Sequence, residues 1–148
     1  MRILALDLAT KTGWAHSSGP SGVQSFALRR GDSSGMRFVY LRAWLTRMEE
    51  NEPFDLIAYE QPHHRGGRAT EVLLGLATTV QGWAAENGKE VTTRSTSELK
   101  KHATGKGKAS KLSMMLSAER KFGREPEDDN EADAMWLLDL VKRETEGS

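Results

Sequence analysis

The sequence predicts an α/β fold: a mixed five-stranded sheet, three antiparallel strands and then parallel ones, with helices on both faces. Three observations lead there. The first strand candidate is an apolar run broken by a single acid, as a buried strand requires. Two further strand-like segments follow it with only turns between. From there strand-like and helix-like segments alternate.

Residues 3–8 are the buried run, and Thr10-Lys11-Thr12-Gly13 is turn chemistry. A second strand is expected at 14–17, a turn at 18–22 and a third strand at 23–28. Ser33 or Ser34 can cap a helix to about Glu50, with Met36, Val39, Tyr40, Ala43, Trp44 and Met48 as its apolar stripe. After Pro53, residues 54–60 read as a fourth strand that stops before Pro62. Residues 63–68 are polar, Gly-rich and basic, hence a loop. Residues 69–86 form a helix with Val72, Leu73, Leu76, Ala77, Val80, Trp83 and Ala84 on one stripe, ended by Asn87-Gly88. A fifth strand covers 90–93. Ser95 or Ser97 then opens a helical piece broken at Thr104-Gly105-Lys106-Gly107, and a helix at 109–122 follows. Asp128 or Asp129 caps a last helix to about Arg143.

The 148 residues suit one domain, 1–148, with enough chain for a core. Hydrophobic residues are 37% and mean hydropathy is −0.59. Cysteine is absent, which excludes thiolate metal sites, disulfides and a Cys nucleophile. The first apolar run is too short, and too soon interrupted by Asp7, for a signal peptide, and no stretch is long enough to span a membrane. The expectation is a cytoplasmic protein. A net charge of zero conceals segregation. Residues 89–124 hold ten Lys/Arg against three Asp/Glu, and residues 125–148 hold two against nine. A basic surface for a polyanion beside an acidic cluster fits that division, although charge alone favours a solvated helix face and an acidic tail.

Three acids decide between them. Asp7 shares a strand face with Ile3 and Ala5, and Glu60 shares one with Leu56 and Ala58. Asp133 sits in a helix that continues Ala134-Met-Trp-Leu-Leu and is apolar nearly all round. Each alone has an ordinary explanation: a strand end, a salt bridge, a helix-dipole partner. Together they suggest carboxylates converging on one point. Two such charges about 4 Å apart repel by roughly 4 kcal/mol at an effective dielectric near 20, so the cluster calls for divalent cations. Hard oxygen donors without cysteine favour Mg²⁺ or Mn²⁺. Asp129 and Asn130, at i−4 and i−3 from Asp133, can share its face, and spacing leaves open which supplies a fourth ligand.

Four blocks in order resemble the RuvC family of Holliday-junction resolvases, in a short phage-like form, over nearly the whole chain. They are Ile3-Leu-Ala-Leu-Asp7-Leu-Ala-Thr-Lys-Thr-Gly13-Trp, Ala58-Tyr-Glu60-Gln-Pro, Leu99-Lys-Lys-His-Ala-Thr-Gly105-Lys-Gly107-Lys-Ala-Ser-Lys111, and Asp129-Asn-Glu-Ala-Asp133-Ala-Met-Trp. The resemblance implies an RNase H-like fold and metal-binding catalytic roles for Asp7, Glu60 and Asp133. The family's fourth acid falls on Asn130; Asp129 can substitute, or Asn130 can coordinate through its carbonyl. Lys100 and Lys111 match basic positions tied to junction binding and cleavage, with Lys101, Lys106 and Lys108 beside them. An aromatic wedge of the family falls in the loop holding His63, His64, Arg65 and Arg68, so stacking there passes to His or Arg. The implied activity is two-metal phosphodiester hydrolysis by a homodimer on branched DNA. The apolar stripe of the 69–86 helix fits a dimer seam, although burial on its own sheet explains much of it.

Other readings give way. Asp7 with Thr10 and Gly13 also resembles the first phosphate motif of actin-like ATPases, which need two such domains. Thr104-Gly-Lys-Gly-Lys-Ala-Ser lacks P-loop spacing. The adjacent His63 and His64 are no zinc signature, and the four tryptophans read as core. What stays open is a same-fold nuclease for flaps, forks or RNA–DNA hybrids, or a non-catalytic nucleic-acid-binding relative.

Overall fold

A computed structural model describes residues 1–62 and 66–147. The elements in chain order are β1 (Ile3–Asp7), β2 (Lys11–His16), β3 (Ser21–Ser25), α1 (Met36–Asn51), β4 (Leu56–Glu60), α2 (Gly67–Glu86), β5 (Glu90–Arg94), α3 (Thr96–Thr104), α4 (Lys111–Phe122) and α5 (Asp129–Glu146). The five strands make one mixed sheet in the order β3-β2-β1-β4-β5, antiparallel across β3-β2-β1 and parallel across β1-β4-β5. This is the expected fold class.

Alternation along the strands divides the core. Leu4, Leu6 and Leu8 turn to one face, where Leu41, Trp44 and Leu45 of α1 and Leu76, Val80 and Trp83 of α2 cover them. Ile3, Ala5, Leu56 and Ala58 turn to the other face, against Leu99, Met114, Trp136 and Leu137 of α3, α4 and α5. β1 is therefore buried on both sides, which accounts for its unbroken apolar run. Continuing the alternation by one step puts Asp7 and Glu60 on the α3–α5 face at adjacent strand ends.

Several boundaries differ from expectation. β2 starts at Lys11 because Thr12 Oγ1 donates to Ala9 O at 2.6 Å and closes the turn before it. β3 runs Ser21–Ser25, since Ser25 already pairs with Lys11 and β2 offers no residue beyond it. The N-cap of α1 is Gly35, without a side-chain bond, in place of Ser33 or Ser34. The buried face of α1 is Leu41, Trp44 and Leu45, whereas Val39 is 52% exposed and Ala43 is exposed. Two overlapping stripes in α1 both have helical spacing, and the Leu-rich one is buried. α2 begins two residues early, so Arg68 lies in its first turn and not in a loop.

Helix starts near the sheet's edge are capped by side chains. Ser95 and Glu98 form a reciprocal capping box on α3, Ser110 caps α4 and Asp128 caps α5. With Asp128 accepting the Glu131 N–H at 2.9 Å, Asp129 is left free of capping duty.

Candidate active site

β1 and β4 are parallel neighbours with Ala5 opposite Ala58 and Leu6 opposite Tyr59, so Asp7 and Glu60 emerge side by side. α5 packs across β2 and β1 and brings Asp133 over the same point. Carboxylate oxygens of Asp7, Glu60 and Asp133 all lie within 4.8 Å of one another. Among the described residues this is the one group of three or more acids and histidines close enough to share a cation.

The electrostatics of Asp7 and Asp133 are those of a cation site. Burial, then the charges of Asp133 and Glu60, push the Asp7 carboxyl well above the usual carboxylate range. Burial, then Glu60 and Asp129, push Asp133 up to about 7, with Lys100 opposing the shift. Asp133 Oδ1 is buried without a hydrogen-bond partner among the described residues. An orphaned buried oxygen is costly unless a cation or a proton meets it. The donor set is all oxygen, and it fits Mg²⁺ or Mn²⁺.

Glu60 and Asp133 of the triad border a cleft of about 400 Å³ together with Asp129, Thr96, Lys100 and Lys111, and Asp7 lies beside it against Glu60. The Thr96 hydroxyl donates to Glu60 Oε1. Asp129 stands at the rim, its Oδ2 3.9 Å from Lys111 Nζ, outside the close group of three. The Asn130 amide nitrogen donates to Lys11 O at 2.7 Å, which turns that end of the side chain toward β2.

Of the basic residues expected to meet DNA, Lys100 and Lys111 border the cleft, while Lys101, Lys106, Lys108 and Arg68 are exposed outside its walls. His63, His64 and Arg65 lie outside the described residues. The two described histidines serve structure. His16 is buried and its Nε2 meets the carbonyls of Glu52 and Pro53, each at 3.0 Å, while Nδ1 accepts from Ser18 N. His102 Nε2 meets Asp139 Oδ2 at 2.7 Å against the edge of Trp136.

Sequence reasoning passed over Thr96 and Glu131. Thr96 reads as an ordinary first residue of a capped helix, and only the placement of α3 after β5 brings it to Glu60. Glu131 is buried, accepts from Ser21 Oγ at 2.5 Å and from Glu127 N at 2.7 Å, and thereby pins the start of α5 to β3.

No protein-family model matches the sequence, and no curated protein matches it either. Solved structures do. RuvC of Thermus thermophilus superposes with a TM-score of 0.76 at 17% identity, covering 99% of this chain and 97% of that one. T. thermophilus RuvC in complex with a Holliday junction substrate gives 0.75 at 17% identity, over 93% and 90%. The yeast mitochondrial Holliday junction resolvase Ydc2 gives 0.60 at 12% identity, over 96% and 80%. The fold is therefore RNase H-like, of the RuvC form.

Proposed function

We propose that this chain is a metal-dependent, structure-selective endonuclease that resolves four-way DNA junctions. The observation that carries the reading is the convergence of Asp7, Glu60 and Asp133 beside Lys100 and Lys111, with Asp133 Oδ1 unpartnered. The likeness to a RuvC solved in complex with a Holliday junction supports branched DNA as the substrate.

In this reading Asp7, Glu60 and Asp133 hold two Mg²⁺ or Mn²⁺ ions per site, with Asp129 or Asn130 completing the set. Such ions supply Lewis-acid activation of water and stabilisation of the leaving 3′-oxygen. The protein's own contribution is positioning. Thr96 holds Oε1 of Glu60 by a hydrogen bond and so fixes the carboxylate that would meet the ions. Lys100 and Lys111 hold the phosphates flanking the scissile one, and Lys101, Lys106, Lys108 and Arg68 extend the grip, without reading bases. His63, His64 and Arg65 fall in the segment where stacking against a base is expected. The products are 5′-phosphate and 3′-hydroxyl ends. The single domain works as a homodimer, whose two sites make paired nicks, in the cytoplasm. Among the described residues no helix is long and apolar enough to cross a membrane.

The test is a substrate panel in Mg²⁺: a four-way junction, a flap, an RNA–DNA hybrid and a linear duplex. Symmetric paired nicks on the junction support resolution. Preferential cleavage of the flap or hybrid keeps the chemistry and replaces the substrate.

A further inference from the structure

Lys100 and Lys111 stand on the β4–β5 side of the acidic triad, in α3 and α4. On the other side the sheet continues through β2 to β3, and the segment leaving β3 carries Arg29 and Arg30, both exposed. We propose that the turn at residues 29–32 is a second phosphate-binding element, which holds the DNA strand on the β3 side of the cleavage point. The proposal rests on the nuclease reading above.

The turn is a built one. Asp32 N donates to Arg29 O at 3.0 Å and Gly31 has φ +88°, which is a type II turn with glycine at its third position. The Asp32 carboxylate is engaged inward, accepting from Arg29 N at 2.7 Å and from the Tyr40 hydroxyl. The Arg29 guanidinium lies 4.6 Å from the centre of the Tyr40 ring. Arg37 Nε donates to Phe26 O at 3.3 Å and props the chain entering the turn. Arg30 occupies the second position of the turn and has no ion-pair or hydrogen-bond partner among the described residues. Its charge faces solvent on a preorganised backbone, which lowers the ordering cost of binding an anion.

Position and shape select the ligand. In the sheet Asp7 is level with Gly13, and Gly13 with Val23, so Val23 of β3 lies two strand spacings, roughly 10 Å, from Asp7, and the turn at 29–32 follows beyond the end of that strand. Phe26 N donates to Thr10 O at 2.7 Å, tying the exit of β3 to the turn that follows Asp7. Arg29 and Arg47 border a mostly polar recess of about 240 Å³ with Gln24 and Ser25, suited to a sugar-phosphate unit. The exit of β3 thus leaves the sheet at the edge where Asp7 emerges, and a strand crossing that edge would meet Lys100 and Lys111 at the cleft and the arginines of the turn beyond β3.

The experiment is equilibrium binding of a four-way junction in EDTA, across a salt series, with Arg30→Gln, Arg29→Gln/Arg30→Gln and Arg30→Lys. The expected result is a fall in the salt slope of about 0.9 for each phosphate the variant no longer neutralises. The double variant should bind about tenfold more weakly, and Arg30→Lys should bind near-normally. A junction bearing neutral methylphosphonates along the strand on the β3 side of the cleavage point should bind the unaltered protein more weakly and leave the double variant unchanged. Slopes and affinities identical to the unaltered protein would overturn the proposal. Should the double variant fail to fold, Arg30→Gln decides alone, because that side chain makes no hydrogen bond or ion pair among the described residues. If the unaltered protein binds no branched DNA at all, the underlying nuclease reading fails instead.

Discussion

Gly13 and Asn130 meet backbone to backbone: a Cβ built on Gly13 would lie 2.0 Å from the Asn130 carbonyl oxygen and 2.1 Å from its carbon. Gly13 is also the cross-strand partner of Asp7. The first turn of α5 is therefore seated directly on the strand beside one metal-ligand candidate, and Asp133 follows one turn later. This close approach sets how near the two aspartates come.

Gly13→Ala should push α5 off the sheet. The expected cost is about 1–3 kcal/mol of stability, as for other overpacked sites, read as a lower melting temperature. Because the displaced turn carries Asp133, Mn²⁺ affinity should fall as well. A normal melting temperature and normal Mn²⁺ binding would contradict the seating role.

Thr96→Val keeps the shape and removes the hydroxyl that Glu60 accepts from. A hydrogen bond to a charged group is worth roughly 1.5–3 kcal/mol, so divalent-ion affinity should drop about tenfold or more. Thr96→Ser should restore most of it. Calorimetric titration with Mn²⁺ separates the cases, and equal affinity for Val and Thr would remove Thr96 from the site.

The metal-free protein should lose stability as pH rises. Asp7 and Asp133 are both raised in the fold, so each holds its proton more tightly folded than unfolded. Their contribution is fully present below the ordinary carboxylate range, near pH 4, and is lost as pH climbs through about 7, the Asp133 value. Melting temperature in EDTA should fall across that window, and Mg²⁺ should reverse the fall at pH 8. Asp133→Asn should flatten the profile. A melting temperature that instead rises from pH 5 to 8 in EDTA would show the acids are not confined as described.

Lys111→Gln removes an exposed cation, 85% accessible, at the cleft rim and should leave the fold intact. Junction affinity should weaken with a salt slope reduced by about 0.9. Lys100→Met should slow cleavage more than it weakens binding, because Lys100 acts on Asp133 within the site. Equal effects of the two substitutions on binding and on rate would erase that distinction.

The parts of the site that were legible in the sequence are those where chemistry offends its surroundings. Asp7 ends an apolar strand, Glu60 does the same, and Asp133 interrupts an apolar helix, so strand and helix periods marked each as out of place, and the three taken together, with the family resemblance, suggested that they meet. Gly13 and Thr96 offend nothing locally, and their roles come from which elements the topology lays against them. The capping acid was ambiguous between Asp128 and Asp129 because either begins the helical pattern, and the bond to Glu131 N settles it on Asp128. In α1, stripes phased on Val39 and on Leu41 fit a helix equally well, and only packing against Trp83 and Phe54 chooses.

The central claim, a junction nuclease built on three carboxylates and divalent ions, is tested most directly by single-turnover cleavage of a synthetic four-way junction. Unaltered protein and Asp7→Asn are compared in Mg²⁺ and in EDTA. The account predicts paired symmetric nicks only for the unaltered protein in Mg²⁺, with Asp7→Asn still binding the junction. Cleavage that persists in EDTA or in Asp7→Asn would contradict it.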